Sequence, residues 1–231
     1  ALRRQRQMCI RDSFSGESGY EIYLRNATLY ADDMWDAVLE AGKKHNLMVI
    51  APAHHRRIQA GILSWGQDLD HEHNPFQCNL GYQVSLSGKG EWEKKGDYIG
   101  KQALEKMKAD LKDGHKPYKL QLVGFEIGGK PIDEYAPDFW LVSPGDGGDP
   151  CGFITSPWYH PEKGKNIAMG YIPFDGTLNA NGFPKWELGK KFKVHLPDIY
   201  ADEPGVPVDA VTVDVPFTES FNANTREVVK G

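Results

Sequence analysis

Three short segments group side chains closely enough for chemistry. In SGESGYE, Glu17 and Glu21 stand beside glycines that let a ligand approach the backbone with no Cβ in the way. A strand carboxylate such as Glu21 can accept paired hydrogen bonds from an amidine-like edge. The same residues also suit a tight turn with solvated acids. In HHRRIQAG, Arg56 and Arg57 lie close to two imidazoles, a grouping that suits a bound carboxylate and equally a solvated helix face. In DLDHEHNP, His71 and His73 with Asp68, Asp70 and Glu72 could clip a metal if the segment were a strand, because residues two apart share a face. Pro75 favours a turn instead, no third strong ligand stands at a fixed spacing, and no metal is expected. Cys78 and Cys151 are far apart in sequence and read as small buried apolar groups. A Gly-rich phosphate loop and a nucleophile-elbow serine are both missing, so nucleotide hydrolysis and serine-hydrolase chemistry find no support.

The elements that must position these groups follow from periodicity. GYEIYL alternates apolar and polar residues after a glycine-rich turn, which predicts a strand. ADDMWDAVLEAGKKHNL predicts a helix capped by Asp32 or Asp33, with Trp35, Val38, Leu39 and Gly42 at helical spacing and an end near Lys44. HHRRIQAGILSWGQDL predicts a second helix with Ile58, Ile62 and Trp65 on one face and Gly66 as its stop. DYIGKQALEKMKADLKDG predicts a third, lined by Leu104, Met107 and Leu111 and stopped by Gly114. Beyond it, KLQLVGFEI, DFWLVS, CGFITS, NIAMGYIP, KKFKVHLP and AVTVDVPF are short alternating runs separated by Gly/Pro/Asp clusters. Such punctuation predicts an antiparallel barrel or sandwich. The expected class is α+β with an all-β C-terminal domain, divided between Lys112 and Tyr118.

Composition narrows the partners. Of 231 residues 40% are apolar and 11% aromatic, which is globular, and the net charge of −5 with interspersed signs gives no basic stripe for nucleic acid. No apolar run approaches the roughly 20 residues that span a bilayer. Neither nucleic acid nor membrane is expected as a partner, and the expected location is cytoplasmic.

Several separated motifs together carry a family resemblance. SGESGYEIYL resembles the Gly-x-x-Gly-aromatic-Glu segment of the glycine-cleavage T-protein superfamily, the tetrahydrofolate-dependent aminomethyl and methyl transferases. RRIQAGILSWGQDLDHEHNPFQCNLGYQVSL, DYIGKQAL and CGFITSPWYHPEKGKNIAMGYIP followed by VDVPF are similar to its next blocks, in order, across residues 14–218. Gln59 stands where the T-protein has Glu, and the stretch before Arg56 is shorter, so the nearest likeness is to dimethylsulfoniopropionate demethylases. GDYIGKQ lacks the cysteine of the iron–sulfur-assembly relatives. The resemblance implies part of a folate-binding domain at residues 14–112, a β-barrel at 113–218 and a polar tail at 219–231. It implies tetrahydrofolate as cofactor, with Glu21 anchoring the pterin, Tyr20 or Tyr23 flanking it and Arg57 helping to position folate or an acidic substrate. The implied function is methyl transfer from a small donor such as dimethylsulfoniopropionate. Alternatives are glycine-cleavage aminomethyl transfer, a lobe of a dimethylglycine or sarcosine oxidase, and a non-catalytic folate-binding regulator. RRQRQMCIRD at residues 3–12 resembles one reading frame of a transposase-type sequencing adapter, so residues 1–13, Cys9 included, are set aside as no part of the natural protein. On that basis the N-terminal half with the family's catalytic aspartate, and most of the smaller inserted domain that completes the folate pocket, are expected to be missing, and the chain alone is expected to bind folate poorly and turn over negligibly.

Overall fold

The computed structural model describes residues 22–50, 54–84, 86 and 97–217. The chain forms two compact units, residues 1–57 and 58–231, and the expected boundary between 112 and 118 falls inside the second.

In the first unit, helix α1 runs Ala27–Gly42 and continues as a 3-10 turn, Lys43–His45. It starts earlier than the aspartates suggested. Asn26, in the left-handed conformation that Asn tolerates, precedes it at φ 55, and its carbonyl accepts the Leu29 N–H at 2.9 Å. Asp32 and Asp33 lie within the helix as exposed residues rather than caps. The end is as expected: Asn46 turns left-handed at φ 55 and Leu47 N–H returns to the Gly42 carbonyl at 3.1 Å. A Cβ on Gly42 would sit 2.3 Å from Leu47 Cδ2, so only glycine lets Leu47 fold back there. Gly42 is buried, but Trp35 and Val38 of the same stripe are exposed.

Helix α2, His54–Gln59, is much shorter than the periodicity predicted. Gly61 donates to the Ile58 carbonyl and turns left-handed at φ 70, so the stop comes five residues before Gly66. Ile58 is buried and Trp65 exposed, so they share no face. Helix α3, Lys101–Lys112, agrees with its prediction. Gly100 (φ 88) opens it, Gly114 (φ 81) closes it, and Leu104, Met107 and Leu111 pack with Phe76 and Phe174.

The six predicted strands all form: β1 Leu120–Ile127, β2 Trp140–Pro144, β3 Gly152–His160, β4 Lys165–Pro173, β5 Lys191–Val194 and β6 Val208–Val213. They close antiparallel into a barrel in the order β1-β4-β3-β2-β5-β6, with β6 returning to β1. Closure removes exposed strand edges. Inward residues Val123, Phe125, Val142, Ile154, Ala168 and Phe192 fill the interior. β4 is buried on both faces, because Ile167, Met169 and Tyr171 point outward into a second cluster with Ile58, Leu122 and Phe217. Residues 58–84 and 213–217 thus pad the outside of the barrel. NIAMGYIP, expected to alternate, is instead buried along nearly its whole length, as a strand covered on both faces must be.

His160, at the end of β3, is 1% exposed; its Nδ1 accepts the Lys163 N–H at 3.4 Å, and Nε2 has no hydrogen-bond partner among the described residues. Burial pushes its pKa below the ordinary 6.5, with the charge of nearby Lys163 acting the same way and Glu162 and Glu126 opposing. Below 6.5 the unfolded chain binds a proton that the folded chain refuses, so this share of stability is whole above 6.5 and declines as the pH falls through the depressed value. Urea midpoints from pH 8 to 5 are expected to fall more steeply for the parent than for His160→Phe.

Candidate functional site

Glu21 and Tyr20 lie outside the described residues. Tyr23 is described and 58% exposed. α2 separates its two arginines: Arg56 is exposed, whereas Arg57 is wholly buried with Nε 3.5 Å from His54 Nδ1. A buried guanidinium needs partners for its donors, and of the two arginines Arg56 is the one that meets solvent. Beside them, burial and then the Arg56 charge lower the pKa of His55.

The carboxylate and imidazole groups of DLDHEHNP turn to different partners. Asp70 Oδ1 receives the Glu72 N–H at 2.8 Å and sits 2.7 Å from His73 Nδ1, an Asx-type turn whose bonds, the backbone one first, lower the Asp70 pKa. His71 meets the Trp65 ring edge-on at 4.9 Å. Among the described residues no group of three or more His, Cys, Asp or Glu is placed to hold a metal.

Asp68 points the other way, into the barrel wall, and is 1% exposed. Its Oδ1 accepts Thr155 Oγ1 at 2.5 Å and Ser156 Oγ at 2.6 Å, while Oδ2 accepts the Ser64 N–H at 2.8 Å. Thr155 is the extra residue of a register shift between Ile154 and Ser156, where β3 pairs with β4. Such a bulge puts consecutive side chains where both can aim at one acceptor. Gln67 adds a bond from Nε2 to the Thr155 carbonyl at 2.8 Å, and the Tyr171 hydroxyl donates to the Asp68 carbonyl at 2.6 Å. Sequence reading weighed Asp68 only as a metal ligand; its partners in GFITS give no local signal.

Further along the padding segment, Gln121 is buried and joins Tyr118 to Phe76, Gln77 and Asn79, the last at 2.5 Å. Asn79, left-handed at φ 60, donates to the Leu122 carbonyl at 2.8 Å. These bonds fix one wall of a pocket of about 220 Å³ in the second unit. Leu63, Met169, Trp186 and Val215 give it apolar sides, Cys78 supplies a thiol and Tyr82 is an exposed rim residue. Trp186 already donates its indole N–H to the Val213 carbonyl at 3.0 Å. Its ring therefore has no unmet donor and suits a flat apolar guest. Burial raises the Cys78 thiol pKa, so the pocket holds a neutral thiol and not a thiolate. The sequence reading passed over Tyr82 and Trp186, which the chain brings together only through the barrel.

Residues 2–88 match the family described as GCVT N-terminal domain. Curated relatives named aminomethyltransferase include that of Chloroherpeton thalassium, 29% identical over 73% of this chain and 41% of its own length. The Symbiobacterium thermophilum protein is 32% identical over 71% of this chain and 39% of its own. The chain thus spans about two fifths of the curated relatives it matches. The crystal structure of glycine cleavage system aminomethyltransferase T from Bartonella henselae superposes with a TM-score of 0.56 at 20% identity, covering 90% of this chain and 48% of that one. The shared fold is an α+β portion leading into a closed barrel, as the motifs led one to expect. By these matches, residues 2–88 fit the GCVT family and the chain resembles the glycine-cleavage T-protein superfamily.

Proposed function

We propose that this chain is part of a tetrahydrofolate-dependent transferase of one-carbon units, with an aminomethyl group as the unit moved. The observation that carries this is the run of relatives named aminomethyltransferase at about 30% identity over some 70% of the chain. Those names support the aminomethyl donor above the sulfonium donor that Gln59 and the shortened stretch before Arg56 put first.

The described residues fit part of the cofactor. An apolar cavity of about 150 Å³ takes benzene, so 220 Å³ between Leu63, Met169 and Trp186 accommodates one substituted six-membered ring such as the aryl arm, and not a whole tetrahydrofolate. Independently of that pocket, Tyr23 and Arg57 of the first unit remain the candidates to flank the pterin and to help position folate or an acidic substrate. Tetrahydrofolate would supply the nitrogen that accepts the one-carbon unit. The protein's contribution is to hold two reactants aligned, which can be worth an effective molarity of about 10⁵ M or more.

A chimera tests the proposal: residues 14–217 replace the matching segment of the Symbiobacterium thermophilum relative, and products are followed with tetrahydrofolate and a panel of donors. Methylenetetrahydrofolate from an aminomethyl donor is expected. Methyltetrahydrofolate from a sulfonium donor would move the assignment to a demethylase, and no product from any donor would sink both. In an active chimera, Trp186→Ala is expected to raise KM for tetrahydrofolate about tenfold, the loss of roughly 1.4 kcal/mol of ring contact. An unchanged KM would remove the pocket from the cofactor site.

A further inference from the structure

The Asp68 clamp reaches the pocket at two separate places. Thr155 Oγ1 lies 2.5 Å from Asp68 Oδ1 and also 3.1 Å from the carbonyl of Met169, a pocket residue. The Tyr171 hydroxyl, donating to the Asp68 carbonyl at 2.6 Å, lies 3.4 Å from Sγ of Cys78, a second pocket residue. Since the phenol has one proton and gives it to Asp68, the Cys78 thiol donates to the phenol oxygen. Thr155 also has one hydroxyl proton, held mainly by the Asp68 carboxylate at 2.5 Å and more weakly shared with the Met169 carbonyl at 3.1 Å, so each of these two walls is one hydroxyl away from Asp68. Thr155 and Ser156 are wholly buried, so the bonds are made where little water competes.

We propose that Asp68 is a positioning residue for the pocket: through the Thr155 and Tyr171 hydroxyls it sets the separation of the Met169 wall from the Cys78 wall. The width of the slot, and so the thickness of ring it admits, follows from that separation. Any effect on tetrahydrofolate affinity rests on the function proposed above, whereas the spacing of the walls does not.

Cys78 itself reports the spacing. With Cys9 and Cys151 changed to serine, the 231-residue chain keeps a single thiol, which is 3% exposed and labels slowly unless its wall moves. Labelling by N-ethylmaleimide is followed by mass in that background. Thr155→Val removes the hydroxyl at constant shape and is expected to speed labelling about tenfold, while Thr155→Ser, which keeps it, stays within about twofold of the parent. Ser156→Ala, which removes one of the two hydroxyls on Oδ1, is expected to give about threefold and serves if Thr155→Val does not fold. Ile132→Val, in the barrel core away from the clamp, controls for lost stability, with labelling compared at equal distance from each urea midpoint. Faster labelling in Thr155→Val than in Ile132→Val supports a positioning role. Equal labelling, or a Thr155→Ser variant as fast as the valine, overturns it and leaves only general stability. A tetrahydrofolate titration by tryptophan fluorescence separates the two proposals, because faster labelling in a chain that never binds folate upholds the positioning role and counts against the folate site.

Discussion

Gly152→Ala is expected to destabilise the barrel by at least about 3 kcal/mol, read as a lower urea midpoint at an unchanged slope. Gly152 opens β3, and a Cβ there would lie 2.0 Å from the carbonyl oxygen of Tyr171 and 3.1 Å from its carbon. Both obstacles are backbone, so no side chain can swing aside. On the facing strand, a Cβ on Gly170 would meet the Phe153 carbonyl at 2.5 Å, so two glycines allow β3 and β4 to approach just ahead of their register shift between Ile154 and Ser156. Gly147→Ala makes the control. Its φ of 93 is unfavourable for alanine but nothing lies within 4 Å, so only backbone strain of about 1 kcal/mol is expected. If the two variants lose the same stability, the close approach at Gly152 is not what holds these strands.

Phe125→Ala is expected to cost about 3–5 kcal/mol, because a large ring leaves a core that closes around it only in part. Phe125 is completely buried on β1 and meets Phe192 of β5 edge-to-face, centroids 5.9 Å apart at 85°. The same change at Phe139 separates burial from ring pairing. Phe139 stacks on Phe153 at 5.3 Å yet is 50% exposed, so its loss should stay near 1 kcal/mol. Comparable losses in the two would mean that the barrel interior is not where the stability lies.

The strands were legible because each one alternates or runs apolar between glycine and proline clusters, and α3 because glycines bracket a clean stripe. The local pattern left barrel and sandwich both open, since β6 meets β1 through a pairing no local pattern records, and it was the family resemblance that said barrel. α2 was overextended because Ile58, Ile62 and Trp65 obey helical spacing, and spacing says nothing of the left-handed turn Gly61 takes. Gly61 is held there at close quarters: a Cβ would strike Val215 Cγ1 at 2.3 Å. The site divided along the same line. Residues with local chemical texture, Arg56 and Arg57 among them, were visible, but which of the two would be buried depended on tertiary packing. Asp68 looked like a ligand among ligands; its true partners lie 87 and 88 residues downstream.

The padding of β4 also sets an order of events. Residues 58–84 are made early, but Asp68 meets Thr155 only across 87 residues and Tyr171 only across 103. On a ribosome adding about 5–20 residues per second, this segment would wait several seconds for the surface it must cover. Until it docks, the outward side chains of Ile167, Met169 and Tyr171 form an apolar face on a newly closed barrel. Slow refolding limited by these long-range contacts follows, with a window in which chaperone binding competes with docking.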